Sequence, residues 1–123
     1  KPQPMTADYR RMVVEHPIWL LFLEEQLAGL LVLEMEPDTL LIYSVVVKPE
    51  LQGRGLGHRL LLLAEDEARK AGYKKIRLYT NEHMVENIAL YLKLGYQETR
   101  REPYLGSNLV HMRKELEKEE RTP

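Results

Sequence analysis

The sequence predicts an α/β (α+β) fold: a mixed, mostly antiparallel sheet with a central parallel strand pair and flanking helices. Three observations predict it. Residues 45–63, VVVKPELQGRGLGHRLLLL, read as a strand, a turn, a glycine-rich loop and a helix, in that order. Tyr73–Thr80 then returns as a strand, and a strand–helix–strand crossover implies parallel pairing with a right-handed connection. On either side of this unit, apolar runs separated by short polar turns read as antiparallel neighbours.

From the start of the chain, residues 1–5 read as a flexible lead, because Pro2 and Pro4 prevent regular structure. Thr6 is placed to cap a short helix over Ala7–Glu15, which His16-Pro17 ends. Ile18–Leu23 is a strand and Glu24-Glu25-Gln26 turns the chain. Ala28–Glu36 follows as a strand, with Leu31, Leu33 and Met35 on one face and Val32 and Glu34 on the other. Pro37-Asp38 is a turn. Leu40–Val47 is nearly continuously apolar, which predicts a central strand covered on both faces.

The helix after the glycine loop spans about Gly55–Ala71, with Leu56, Leu60, Leu63, Ala64 and Ala68 on its buried side. Gly72 stands where a left-handed residue ends a helix. Asn81 is placed to cap a second helix over about Glu82–Leu94, with Val85, Ile88, Ala89 and Leu92 as its buried stripe and Gly95 at its end. Tyr96–Glu102 and Leu109–Leu116 form a final antiparallel pair around Pro103–Asn108, and Glu117–Pro123 is a charged tail.

Composition narrows the function. The 123 residues bound a single domain, 1–123, flexible at both ends, and 44% hydrophobic with 30% charged residues is an ordinary globular balance. A net charge of −1 argues against a nucleic-acid partner. Without cysteine there is no disulfide framework, thiolate metal site or cysteine nucleophile. No apolar run is long enough to span a membrane, and the start has no signal-peptide core, so the protein is expected to be cytoplasmic, with no membrane partner. The four histidines form no H-x-x-x-H pair, and His83 and His111 have no partner at ligand spacing, so no metal is expected.

The glycine loop carries the chemistry. Gly53, Gly55 and Gly57 let several main-chain N–H groups converge, and the helix that follows adds unpaired donors and the positive end of its dipole. A phosphate or pyrophosphate is the natural guest. A Walker A loop needs Lys and Ser or Thr after its last glycine, whereas His58-Arg59 follow Gly57. A dinucleotide fingerprint needs G-x-G-x-x-G, and here the third glycine comes one residue early. A tight turn without a ligand is the alternative, but it does not require three glycines in five residues. Arg54 and His58 either add charge to the phosphates or are solvated surface groups. Gln52 is placed to brace the loop.

The stretch resembles the coenzyme A loop of the GNAT N-acetyltransferase superfamily, Q/R-x-x-G-x-G/A, filled here by Gln52, Gly55 and Gly57, with Val47-Lys48-Pro49 as a V-x-P lead-in. Residues 87–96, NIALYLKLGY, resemble that family's A-x-x-L-Y-x-x-x-G-F/Y segment through Leu90, Tyr91, Gly95 and Tyr96. The resemblance spans about Leu30–Leu116. It implies acetyl-CoA as cosubstrate and acetyl transfer to a small-molecule or peptide amine, with amides of Gly53, Arg54, Gly55, Leu56, Gly57 and His58 gripping the pyrophosphate. It also implies that the edge of Val45, Val46 and Val47 pairs with the pantetheine arm, that this strand splays from Tyr73–Thr80, and that Tyr91 protonates the departing thiolate. A phenol suits that task because its pKa of about 10 exceeds that of a thiol.

Departures from the pattern are specific. The family's pantetheine-contacting Asn position is Met84 here, with Asn87 three residues on as the substitute near the cofactor. The position of a catalytic Glu in some members is Tyr79, so no base is inherited. Glu34, Glu36, Tyr79 and a water chain are the candidates, and none is assigned. Tyr104 is either an acceptor-pocket residue or a loop aromatic. The family's usual first strand and helix are expected to be missing from this sequence, as in a shortened or divergent member or an incomplete copy; if the first strand is absent, Ile18–Leu23 is an open edge suited to a homodimer. A non-catalytic module of the same fold that binds acyl-CoA or CoA is the alternative function, and a nucleotide-binding domain is a third reading.

Overall fold

A computed structural model describes residues 16–117. The expected lead, the Ala7–Glu15 helix with its Thr6 cap, and the tail beyond Glu117 lie outside the described residues. Within them, six strands form one sheet: β1 (Ile18–Leu23), β2 (Gln26–Met35), β3 (Leu40–Val47), β4 (Lys75–Asn81), β5 (Gln97–Tyr104) and β6 (Ser107–Glu115). Two helices cross between strands, α1 (Leu56–Lys70) and α2 (Val85–Lys93). The sheet order is β1-β2-β3-β4-β6-β5, and β3–β4 is its parallel pair. The mixed α/β architecture is the one the sequence predicts.

The parallel pair sets the site. Its ladder consists of Leu40↔Ile76 and Leu41↔Arg77 alone. Beyond Leu41, β3 stays with β2 as far as Val47, opposite Gly29, while β4 stays with β6 as far as Asn81, opposite Leu109. The sheet therefore opens into two arms, the splay the family resemblance implied. A register shift between Val32/Ser44 and Leu33/Ile42 leaves Tyr43 as an extra residue on β3, and such a bulge bends and twists its strand.

The core lies between the sheet and the two helices. Leu31, Leu33, Leu40, Ile42, Ile76, Leu78, Val110 and Met112 meet Leu60, Leu61, Ala64 and Ala68 of α1, with Tyr91 and Tyr96 at the α2 end. Helical spacing anticipated this face of α1 but missed Leu61 and Glu65. Glu65 is buried, and Lys114 on β6 donates to both its oxygens at 3.0 and 3.2 Å, so the helix is tied to the sheet by an enclosed ion pair. Gly72, φ +89°, follows α1 in the left-handed conformation expected.

Three expectations change. β3 is covered on both faces only over Leu40–Ile42, and Tyr43 and Val46 are exposed because the strand has left β4. Val32 is as buried as Leu31 and Leu33, whereas Met35 at the strand end is exposed. α2 starts at Val85 with Met84 at its N-cap, not Asn81. The Asn81 side chain instead accepts from the His83 amide at 2.9 Å, and its carbonyl accepts from the Met84 amide at 2.9 Å, so the residue closes a turn one step before the helix. Its buried face is accordingly different: Ile88, Leu90, Tyr91 and Leu94 pack inward, and Val85, Ala89 and Leu92 are exposed.

Candidate functional site

A cleft of about 920 Å³ opens between the β3 arm, the glycine loop and the first turns of α2. Val45, Val46 and Val47 form one wall. Gln52, Gly53, Gly55, Leu56, Gly57 and His58 form its head, and Asn87 and Tyr91 face them from α2. Of the residues the resemblance assigned to cosubstrate binding and to Tyr91's role, Arg54 alone stands outside the wall, exposed at the loop's tip; the base candidates Glu34, Glu36 and Tyr79 and the pocket candidate Tyr104 do not line this cleft.

Local sequence explains the head of the cleft. Pro49 starts a 3-10 turn, and the Leu51 amide donates to the Lys48 carbonyl at 2.9 Å. Gln52 turns back, and its Nε2 donates to the Val47 carbonyl at 3.1 Å, bracing the loop as expected. Gly53 and Gly55 then take φ of +85° and +80°, which a side chain resists. The first main-chain bond of α1 is Arg59 N–H to the Gly55 carbonyl, 3.1 Å. Among the described residues, none of the amides of residues 53–58 donates to a main-chain carbonyl or a side chain. They make a row of free donors at the positive end of a 15-residue helix.

Tyr91 is fixed from two directions. Its carbonyl accepts from the Tyr96 amide at 2.9 Å and the Leu94 amide at 3.1 Å, locking the end of α2. Its ring packs 6.0 Å from the Tyr96 ring. The side chain is 7% exposed and lines the cleft, and burial pushes the phenol pKa above its ordinary value. A hydroxyl held neutral at the wall of a cleft can donate a proton into it.

Sequence reasoning gave no cleft role to Leu61, His83, Val85, Glu86 and Leu90, and named Met84 only as the position where the family's Asn is lost; all six line the cleft. Placing the cap at Asn81 turned the first turn of the helix toward the core. The glycine-loop–helix pair was right, but the rotation of α2 about its axis was not readable from a nine-residue segment.

Outside this cleft lie other polar groups, among them the candidate bases Glu36 and Tyr79 and His111, for which the sequence offered no partner. Arg77 donates from Nε and Nη2 to both oxygens of Glu36 at 2.8 and 2.7 Å, and the guanidinium holds that carboxyl below its usual range. His111 is buried, with Nε2 2.8 Å from Oε1 of Glu102, and this hydrogen bond lowers the Glu102 pKa. The rings of Tyr79 and His111 lie 5.3 Å apart. Tyr79 has its phenol pKa raised, chiefly by burial. Tyr104 lies at the end of β5 rather than in a loop.

A family model described as the acetyltransferase (GNAT) family matches residues 2–96 of the chain. Among curated relatives, the uncharacterized N-acetyltransferase YvbK of Bacillus subtilis (strain 168) is 35% identical over 74 residues, 59% of this chain and 48% of the relative. The uncharacterized N-acetyltransferase YjgM of Escherichia coli (strain K12) is 36% identical over 62 residues, 50% of this chain and 37% of the relative. The chain thus spans half or less of the length of these two relatives. A GNAT family acetyltransferase from Elizabethkingia anophelis, solved with acetyl-CoA bound, superposes with a TM-score of 0.78 at 20% identity over 94% of this chain and 86% of that one. A Bacillus subtilis acetyltransferase solved in complex with CoA gives 0.79 at 23% identity over 93% and 86%. At those identities the structural likeness is one of fold.

Proposed function

The chain belongs to the GNAT acetyltransferase family, and from that premise we propose that it moves the acetyl group of acetyl-CoA onto a primary amine by direct attack in a ternary complex. The observation that carries this reading is the row of free amides over residues 53–58 at the head of the cleft. A diphosphate meets those donors without displacing any internal bond, and the two left-handed glycines are the conformational cost of aligning them. His58 borders the same space and can add charge to the phosphates, while Arg54 reaches them only from outside the wall.

The rest of the cleft fits the remainder of the cosubstrate, whose thioester supplies the acetyl group. Past Leu41 the β3 edge has no β4 partner, so its main-chain groups over Val45–Val47 can pair with an extended pantetheine arm. One N–H of that edge can serve as oxyanion donor. Asn87 faces the arm from α2. The acceptor arrives as an ammonium and loses one proton to solvent through a base or water. Its nitrogen forms the C–N bond, the C–S bond breaks, and the departing sulfur takes the proton of the Tyr91 hydroxyl. The nitrogen loses its second proton as the amide forms, and that proton passes through water to the tyrosinate, so the balance is amide, free thiol and one released proton.

The test is direct. At 100 times its dissociation constant, acetyl-CoA stabilises the native protein by about 2.7 kcal/mol, a rise of roughly 8–12 °C in melting midpoint for a domain of this size. ATP and NAD give no comparable rise, and free-thiol release accelerates with an amine acceptor. A shift with ATP or NAD instead of acetyl-CoA sinks the reading. A shift with acetyl-CoA but no thiol release with any amine identifies the non-catalytic module.

A further inference from the structure

Tyr96 is 1% exposed, and its hydroxyl has no hydrogen-bond partner among the described residues. Protein interiors pair nearly all such groups, so a buried orphan calls for a reason. Leaving a donor unpaired in the core is unfavourable, and a phenylalanine ring fills the same place without that penalty.

Three elements fix the ring. Gly95 takes φ +101° and reverses the chain after α2, so the Tyr96 amide donates to the Tyr91 carbonyl at 2.9 Å. The rings of Tyr91 and Tyr96 pack with centroids 6.0 Å apart and planes tilted by 57°. From β6, the Lys114 ammonium lies 5.8 Å from the Tyr96 ring centroid. From α1 comes buried Glu65, whose two oxygens accept from Lys114 at 3.2 and 3.0 Å. That carboxylate is thus engaged by an ammonium and not by the phenol. Burial, with the charges of Glu65 and of an ionised Tyr91 adding to it, raises the Tyr96 pKa. The hydroxyl is therefore held protonated, as a donor.

Acetyl transfer creates a charge beside it. When the departing sulfur takes the Tyr91 proton, a phenolate forms on a side chain that is 7% exposed, where water stabilises it poorly. A donor unpaired before this step and paired during it strengthens the transition state alone. That is the condition for raising kcat rather than lowering KM.

We propose that Tyr96 is a positioning residue for the acid, its hydroxyl donating to the Tyr91 oxygen as that oxygen becomes anionic. The inference deepens the acetyl-transfer reading above and rests on it.

The experiment compares Tyr96→Phe, Tyr91→Phe and the double variant with the wild-type chain. Tyr96→Phe is expected to lower kcat about tenfold, the scale of one charge-assisted hydrogen bond, with KM for acetyl-CoA and for the amine within about twofold. Its midpoint in urea is expected to equal or exceed that of the wild type, because an unpaired hydroxyl has left the core. On the Tyr91→Phe background the same substitution is expected to change kcat by less than about twofold, since no phenolate forms there. Wild-type kcat in Tyr96→Phe overturns the proposal, as do equal losses on both backgrounds. A lowered midpoint or a failure to fold overturns it too, by showing that the hydroxyl is already paired in the resting protein. The two levels separate. A slow Tyr91→Phe beside a fully active Tyr96→Phe defeats this inference alone, whereas a fully active Tyr91→Phe removes the acid role beneath it and this inference with it.

Discussion

Tyr91 shows how much a single side chain owes to its setting. Its ring packs against Tyr96 and its carbonyl ends α2. Removing the hydroxyl while keeping the ring isolates the chemistry from the packing. Tyr91→Phe is expected to lower kcat about 100-fold, the lower range for loss of a general acid, with acetyl-CoA affinity within about twofold. The upward pKa shift has a testable sign. The phenol keeps its proton above pH 10, so the wild-type rate holds to that point and falls beyond it. Stopped-flow profiles in which Tyr91→Phe retains the same alkaline limb would assign that limb to another group.

Among the elements, β3 is the one whose placement makes the cleft. Its C-terminal half hangs on β2 alone, and contact there is close. The Lys48 amide donates to the Ala28 carbonyl at 2.8 Å, and a Cβ on Gly29 would run into the Val46 carbonyl oxygen. Gly29 is therefore required by close approach, not by a positive φ. Gly29→Ala is expected to cost at least about 2 kcal/mol in urea unfolding and to weaken acetyl-CoA binding, because Val45–Val47 must shift. A variant with wild-type stability and affinity would show that β2 and β3 can part there without consequence. Gly55 has open space around it, so its constraint is the backbone angle alone.

For the whole molecule, the question is what holds two diverging halves of a sheet together. Near the apex, β3 and β4 share two ladder pairs, and the Glu36–Arg77 pair spans from the end of β2 to β4 beside them. Both side chains are mostly buried, so the bidentate pair is worth about 1–2 kcal/mol. The folded Glu36 pKa lies below its unfolded value of about 4.3. Its stabilisation is thus complete above that value and lost as pH falls through the lower, folded pKa. The stability difference between wild type and Glu36→Gln is expected to be constant from about pH 6 to 8 and to shrink below about pH 4. A difference that grows on acidification contradicts the pairing. No helix among the described residues is long and apolar enough to cross a membrane.

The amino-acid order alone determined the strands Ile18–Leu23 and Leu40–Val47 to the residue, the tight glycine turn into a helix, and α1 with its Gly72 stop, because these rest on local rules: apolar runs, glycine conformation and helical period. It also placed all but one of the named site residues on a common cleft, through motif spacing. Tertiary structure alone decided the rest. The face that α2 buries, the exposure of Arg54 and Tyr43, and the pairings Glu36–Arg77 and His111–Glu102 depend on which strand lies beside which, and on how far β3 turns away from β4. Those contacts join residues 9 to 41 positions apart, and no spacing along a chain encodes them.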